Sequence, residues 1–145
     1  MNGSAITFDR EALARIAERY GLDLIVFFGS RMKGRARAGS DLDIAIRRST
    51  PGHGLLSGEI NSEMQLIGEL VSAIHAPDGD VDIVLLNDAP PLLMFEVASH
   101  GRAVYESEPA LFARFKSYAA RLYDTNRKFI AAQETYLRRR IAHVA

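Results

Sequence analysis

Asp41 and Asp43 flank Leu42 in the segment SDLDIAI, and Asp82 sits between Val81 and Ile83 in DVDIVLLN. Side chains alternate between the faces of a strand, so Asp41 and Asp43 project side by side while Leu42 and Ile44 turn the other way. Two carboxylates held together repel unless a cation lies between them, and hard oxygen donors suit Mg²⁺ better than zinc. If the two segments pair directly, Asp82 comes to about 5 Å from the first strand and three carboxylates converge. Such a set fits phosphoryl transfer with two metal ions about 4 Å apart, one activating the attacking hydroxyl and one neutralising charge at the leaving group. Asp80 competes for the third place, but beside the Asp78-Gly79 turn it reads more simply as a solvated turn residue. An isolated Asp-x-Asp arises readily by chance, so a second feature has to accompany it.

That feature is Gly29-Ser30, which closes the apolar run LDLIVFF. Backbone N–H groups at a turn opening toward a helix, together with the Ser30 hydroxyl, suit a nucleotide triphosphate, and glycine allows close approach of a phosphate. Taken alone, the same residues fit an ordinary strand-to-helix turn with Ser30 as N-cap. Arg31, Lys33, Arg35 and Arg37 follow; a solvated basic helix face accounts for most of them, and Arg31 or Lys33 is the candidate for a phosphate contact. GSRMKGR satisfies the first half of a P-loop, GxxxxG, yet Arg35-Ala36 stands where Lys and Ser/Thr would bind phosphate and Mg²⁺. A nucleophile elbow fails as well, because Ser30 lacks the second glycine of GxSxG.

The elements that must hold these residues follow from periodicity. Phe8 to Tyr20 reads as an amphipathic helix through Leu13, Ile16, Ala17 and Tyr20, stopped by Gly21. Leu22 to Phe28 is predicted as a buried strand, Arg31 to Arg37 as a helical turn or two, DLDIAI as a second strand, and Arg47 to Gly58 as a loop rich in breakers. Glu59 to His75 reads as a helix whose apolar face is Ile60, Met64, Ile67, Leu70, Val71 and Ile74, followed by the strand VDIVLL. An N-cap signal from Asn87 to Pro91 opens a helix over 90–99, and Ala103 to Glu106 is a short strand. The last helix spans about 108–141, with Leu111, Phe112, Phe115, Ala119, Leu122, Tyr123, Phe129 and Ile130 on or near one face. Its aromatics exceed what a small sheet needs. The default is packing back on its own domain, and a surplus towards Phe129 and Tyr136 would instead mark an apolar strip for a protein partner. Arg138 to Arg140 suit the negative end of that helix's dipole, with docking to a partner as the functional alternative.

The chain has 145 residues, 48% of them apolar, enough for one domain with its own core. Lys+Arg and Asp+Glu balance at 18 each, so no overall positive field drives sequence-independent nucleic-acid binding. Cysteine is absent, which excludes disulfides, thiolate zinc sites and a cysteine nucleophile and suits a reducing cytoplasm. The four histidines share no short ligand spacing and are expected at the surface. With no apolar leader and no run long enough to span a bilayer, the expectation is one cytoplasmic domain over 1–145.

Read together, GSRMKGRARAGSDLDIAI is GS, ten residues, then DxD, and it resembles the signature of the DNA polymerase β-like nucleotidyltransferase superfamily. The chain is similar in particular to the minimal nucleotidyltransferases, the MNT antitoxins of the MntA type that pair with HEPN-domain ribonuclease toxins. The likeness covers the opening helix, the GS turn, Lys33-Gly34, SDLDIAI, DVDIVLLN and PPLLMFEVASHGRAVYE. It implies an α/β (α+β) fold with a small mixed sheet flanked by helices and a long C-terminal helix. It also implies Asp41, Asp43 and Asp82 as ligands of two Mg²⁺ ions, Asp82 as the nearest group to a general base, and Gly29 and Ser30 holding the triphosphate of ATP. The implied reaction transfers AMP from ATP to a tyrosine of the toxin, releases pyrophosphate and silences the ribonuclease, with neither membrane nor direct nucleic-acid binding. Two other readings use the same features: nucleotidylation of a small hydroxylated molecule such as an aminoglycoside, and an antitoxin that acts by binding alone.

Overall fold

The computed structural model describes residues 6–29, 42–49, 60–75 and 81–144. Strand β1 (Thr7–Phe8) leads into helix α1 (Arg10–Tyr20), then β2 (Leu22–Phe28), β3 (Leu42–Arg48), α2 (Ile60–Ala73), β4 (Ile74–His75), β5 (Val81–Leu85), a 3₁₀ turn at Leu86–Asp88, α3 (Pro91–His100), β6 (Arg102–Glu106) and α4 (Leu111–Val144). The main sheet has the order β5-β3-β2-β6. β2 pairs antiparallel with both neighbours, whereas β3 and β5 run parallel, with α2 in the crossover between them.

All seven residues of β2 are buried, because this central strand is covered on both faces. One face carries Leu22, Ile25, Phe27, Leu42, Ile44 and Ile46 against Leu13, Ile16 and Ala17 of α1 and Leu66, Leu70 and Ala73 of α2. The other carries Leu24, Val26, Phe28 and Ala45 against Met94, Val97 and Ala98 of α3 and Leu111, Phe115 and Ala119 of α4. A strand buried on both sides reads as a continuous apolar run, which is why LDLIVFF was legible.

The opening helix starts two residues later than its periodicity suggests. Thr7 and Phe8 pair antiparallel with His75 and Ile74, and the Asp9 carboxylate accepts from Ala12 N at 3.1 Å as the N-cap. Phe8 then packs edge-on against Phe27, with ring centroids 5.3 Å apart. The same pairing turns Ile74 and His75, expected as the last residues of a helix, into β4. The buried stripe of α2 is Leu66, Leu70 and Ala73, whereas Met64 and Val71 of the expected face are exposed. A helix this apolar offers more than one stripe at i, i+4 spacing, and only its neighbours select between them.

Arg47 and Arg48, expected in a loop, continue β3. Arg47 is held there by a two-point ion pair with the buried Asp23, its Nε and Nη2 donating to Oδ1 and Oδ2 at 3.0 and 2.9 Å. The Asn87 side chain accepts from Arg48 N at 2.8 Å and donates to Arg48 O at 3.1 Å, satisfying a strand end with an amide. Asn87 therefore does not cap α3; that position falls to Pro90, with Pro91 at the start of the helix. Residues 31–37 and 50–58, expected as a helical turn and a loop, lie outside the described residues.

Helix α4 runs from Leu111 to Val144, shifted about three residues from the 108–141 expected. Its first half packs on α3, where Tyr123 stacks on Phe95 at 4.0 Å. Packing back does not extend to the second half: from Arg127 to Arg140 every described side chain is exposed. His75 and His100 are exposed as expected.

Candidate active site

The antiparallel register of β2 and β3 sets Phe28 opposite Asp43, so the next residue, Gly29, leaves the sheet beside the Asp43 carboxylate. Gly29 has φ +100°, a region closed to most L-residues. A Cβ there would stand 2.3 Å from Asp43 Oδ2, far inside contact distance. Two independent constraints, backbone angle and space, thus require glycine where the sequence has one.

The parallel register of β3 and β5 sets Asp43 opposite Asp82. Neighbouring strands lie about 4.8 Å apart and registered residues share a face. Asp43 shares its face with Ala45, and Asp82 with Val84, both against the α3 and α4 cluster; Leu42, Ile44, Val81 and Ile83 belong to the opposite side. The two carboxylates therefore project from adjacent strands towards one side, at the end of the sheet where β2 finishes. Asp43 is half-buried and Asp82 exposed.

Of the residues singled out by sequence, Gly29, Asp43 and Asp82 come together here. Ser30, Arg31, Lys33 and Asp41 lie outside the described residues, as does Asp80. Among the described residues no three His, Asp or Glu side chains gather as a metal cluster. The donors present do fit a divalent cation: hard carboxylate oxygens from two registered strands, beside a glycine whose missing Cβ makes room for the Asp43 carboxylate. Register also brings in a cation that no motif singles out, Arg102, opposite Phe27. Its guanidinium lies over the Phe8 ring, 5.7 Å from the centroid, in the cluster on the other face of the sheet. The carboxylate pair does not include it.

A mixed sheet that registers two carboxylates beside a glycine turn at a strand end is the framework of a nucleotidyltransferase. Residues 11–110 match the family described as Polymerase beta, Nucleotidyltransferase, and the chain belongs to that family. The matched stretch contains Gly29, Asp43 and Asp82. No curated protein matches the sequence significantly. Among solved structures, a toxin–antitoxin crystal structure with AMP-PNP is similar in fold, with a TM-score of 0.64 and 22% identity over 89% of this chain and 98% of that one. An MNT antitoxin in complex with a tri-AMPylated HEPN toxin from Shewanella oneidensis gives a TM-score of 0.51 and 23% identity, over 86% of this chain and 95% of that one. The toxin–antitoxin MntA-HepT gives 0.51 and 22%, over 86% and 96%. Among the described residues no helix is long and apolar enough to cross a membrane.

Proposed function

We propose that the protein is a cytoplasmic Mg²⁺-dependent adenylyltransferase that serves as an antitoxin, moving AMP from ATP to a tyrosine of a cognate HEPN-domain ribonuclease toxin. The observation that carries this reading is the register of Asp43 with Asp82 beside Gly29. The fold likeness to toxin–antitoxin complexes, one with AMP-PNP and one with an AMPylated toxin, supports the choice of donor and acceptor.

In this reading Asp41, Asp43 and Asp82 hold two Mg²⁺ ions, which when bound make the acceptor hydroxyl easier to deprotonate and neutralise charge on the departing pyrophosphate. Gly29 and Ser30 hold the triphosphate through backbone N–H groups and a hydroxyl, with Arg31 or Lys33 as a further cation on the phosphates. The tyrosine oxygen bonds to the α-phosphorus as the bond to the β-phosphate oxygen breaks. Pyrophosphate leaves with that electron pair, and Asp82, at the exposed edge of the pair, takes the phenolic proton. Asp43, half-buried and braced by Gly29, fixes the geometry on which in-line attack depends.

The test is to incubate the protein with ATP, Mg²⁺ and the product of the adjacent reading frame and to measure intact mass. One or more AMP units on a tyrosine of that product are expected. An unmodified product, with labelled AMP found instead on an added aminoglycoside or nowhere, overturns the reading.

A further inference from the structure

At about 1.5 Å per residue, the 34 residues of α4 make a rod about 50 Å long. Leu111, Phe115 and Ala119 are buried and Leu122, Tyr123 and Asn126 half-buried, after which the helix leaves its own domain. One line of large apolar and aromatic residues continues past that point, while the positions beside it turn polar. Phe115, Leu122, Phe129 and Tyr136 recur at every seventh residue, and Ala119, Asn126, Gln133 and Arg140 follow each by four. This spacing keeps one seam on one side of a helix. The first two members of the seam bury against the core; Phe129 and Tyr136 continue it into solvent, 62% and 58% exposed, with Leu137 at 56% beside them.

Charge narrows what covers that seam. Between Arg127 and Arg140 stand five cations and one anion, a net +4 in a chain whose total is zero. Two copies paired in parallel would place Arg138, Arg139 and Arg140 beside themselves. Paired antiparallel about Gln133, they would set Arg138 and Arg139 against Lys128 and Arg127. Both arrangements gather like charge around an apolar seam, which works against a second copy. A nucleic acid would satisfy the cations but leave Phe129, Tyr136 and Leu137 with nothing apolar to cover them, and part of the charge is already engaged: Arg127 pairs with Asp124 at 3.3 Å, and Arg140 lies against Tyr136, donating to its hydroxyl at 3.1 Å.

We infer that Arg127 to Arg140 is a docking helix for a protein partner that offers an apolar groove between helices, rimmed with Asp and Glu. The surface follows from α4 itself; naming the HEPN toxin as its occupant rests on the function proposed above. The aromatic rings enter the groove, and the flanking arginines meet the acidic rim and orient the approach.

The full-length protein is titrated calorimetrically with the product of the adjacent reading frame, as wild type, as Phe129→Ser/Tyr136→Ser and as Arg138→Glu/Arg139→Glu/Arg140→Glu. Far-UV circular dichroism and ATP binding at the carboxylate site confirm that each variant is folded. The aromatic pair is expected to weaken association at least about thirtyfold, as loss of central interface anchors does. Charge reversal is expected to weaken it and to flatten its dependence on salt. Unchanged affinity in both variants overturns the inference, even if AMP transfer proceeds. So does a wild-type dimer in sedimentation equilibrium that the aromatic substitutions dissolve, or tight binding of a short DNA duplex or RNA hairpin that the charge reversal removes. A complex that forms through this helix without AMP transfer leaves the docking surface standing and refutes the proposed reaction instead.

Discussion

Gly29→Ala tests the site where backbone and carboxylate meet. The substitution forces an L-residue to φ +100°, a cost of about 1 to 2 kcal/mol. It also places a methyl group 2.3 Å from Asp43 Oδ2, where ordinary contact begins at 3.4 Å, so one group has to yield by about 1 Å. The group that yields is the tip of the Asp43 side chain, because Gly29 is fixed by the strand it terminates. The stability loss is therefore confined to the backbone cost, a fall in Tm of about 3 to 8 °C. The functional loss is larger, since misplacing a reacting group by about 1 Å costs on the order of 100-fold, or about 2.7 kcal/mol of barrier. The assay follows AMP incorporation into the partner by intact mass and rate, with melting recorded on the same samples. Gly68→Ala is the control: a Cβ there meets nothing within 4 Å, so a helix-interior glycine is replaced with a gain of up to about 1 kcal/mol and undiminished transfer. Transfer by Gly29→Ala at close to the wild-type rate would refute the claim that this glycine sets the position of Asp43.

Asp43→Asn and Asp82→Asn are each expected to abolish transfer while the melting temperature holds or rises, because a like-charge neighbour is removed along with a proposed metal ligand; retained transfer in both would remove these residues from the site. Asp23→Ala leaves Arg47 without its two-point partner and should cost about 2 to 3 kcal/mol in urea unfolding, since breaking one side of a largely buried pair strands the other charge; a loss below about 0.5 kcal/mol would place that pair with exposed surface bridges. Burial first, and then the hydrogen bond and charge of Glu69, raise the Tyr20 hydroxyl above its ordinary pKa of 10.0. The folded state then holds this proton more tightly than the unfolded chain, so the contribution is complete below about pH 10 and is lost as pH rises through the folded-state value. Urea midpoints measured from pH 8 to 11 should fall less steeply for Tyr20→Phe than for the wild type above pH 10, and parallel curves would count against the linkage.

Residues with steep local requirements are legible without any knowledge of their neighbours. A strand covered on both faces must be nearly all apolar, so LDLIVFF, with Asp23 its one polar residue, announces the centre of the sheet. Alternation placed Asp43 opposite in sense to Leu42 and Ile44, and Gly29-Ser30 with its spacing to Asp41-x-Asp43 carried the family likeness. Tertiary structure decided what depends on neighbours distant in the chain. The parallel register of β3 and β5 sets Asp82 opposite Asp43, a pairing that alternation allows but cannot choose. Thr7 and Phe8 became a strand because Ile74 and His75 offered their backbone, and Asn87 left a helix cap for the Arg48 backbone, where its amide meets both N–H and C=O. The apolar stripe of α2 was selected by α1 and the sheet from among several that the sequence contains. Most of all, the line Phe115, Leu122, Phe129 and Tyr136 of α4 stays apolar or aromatic in sequence, yet its first half is core and its second half is surface. Hydrophobic periodicity says that a face will be covered; only the end of the domain beneath it decides whether the cover is the chain's own sheet or another protein.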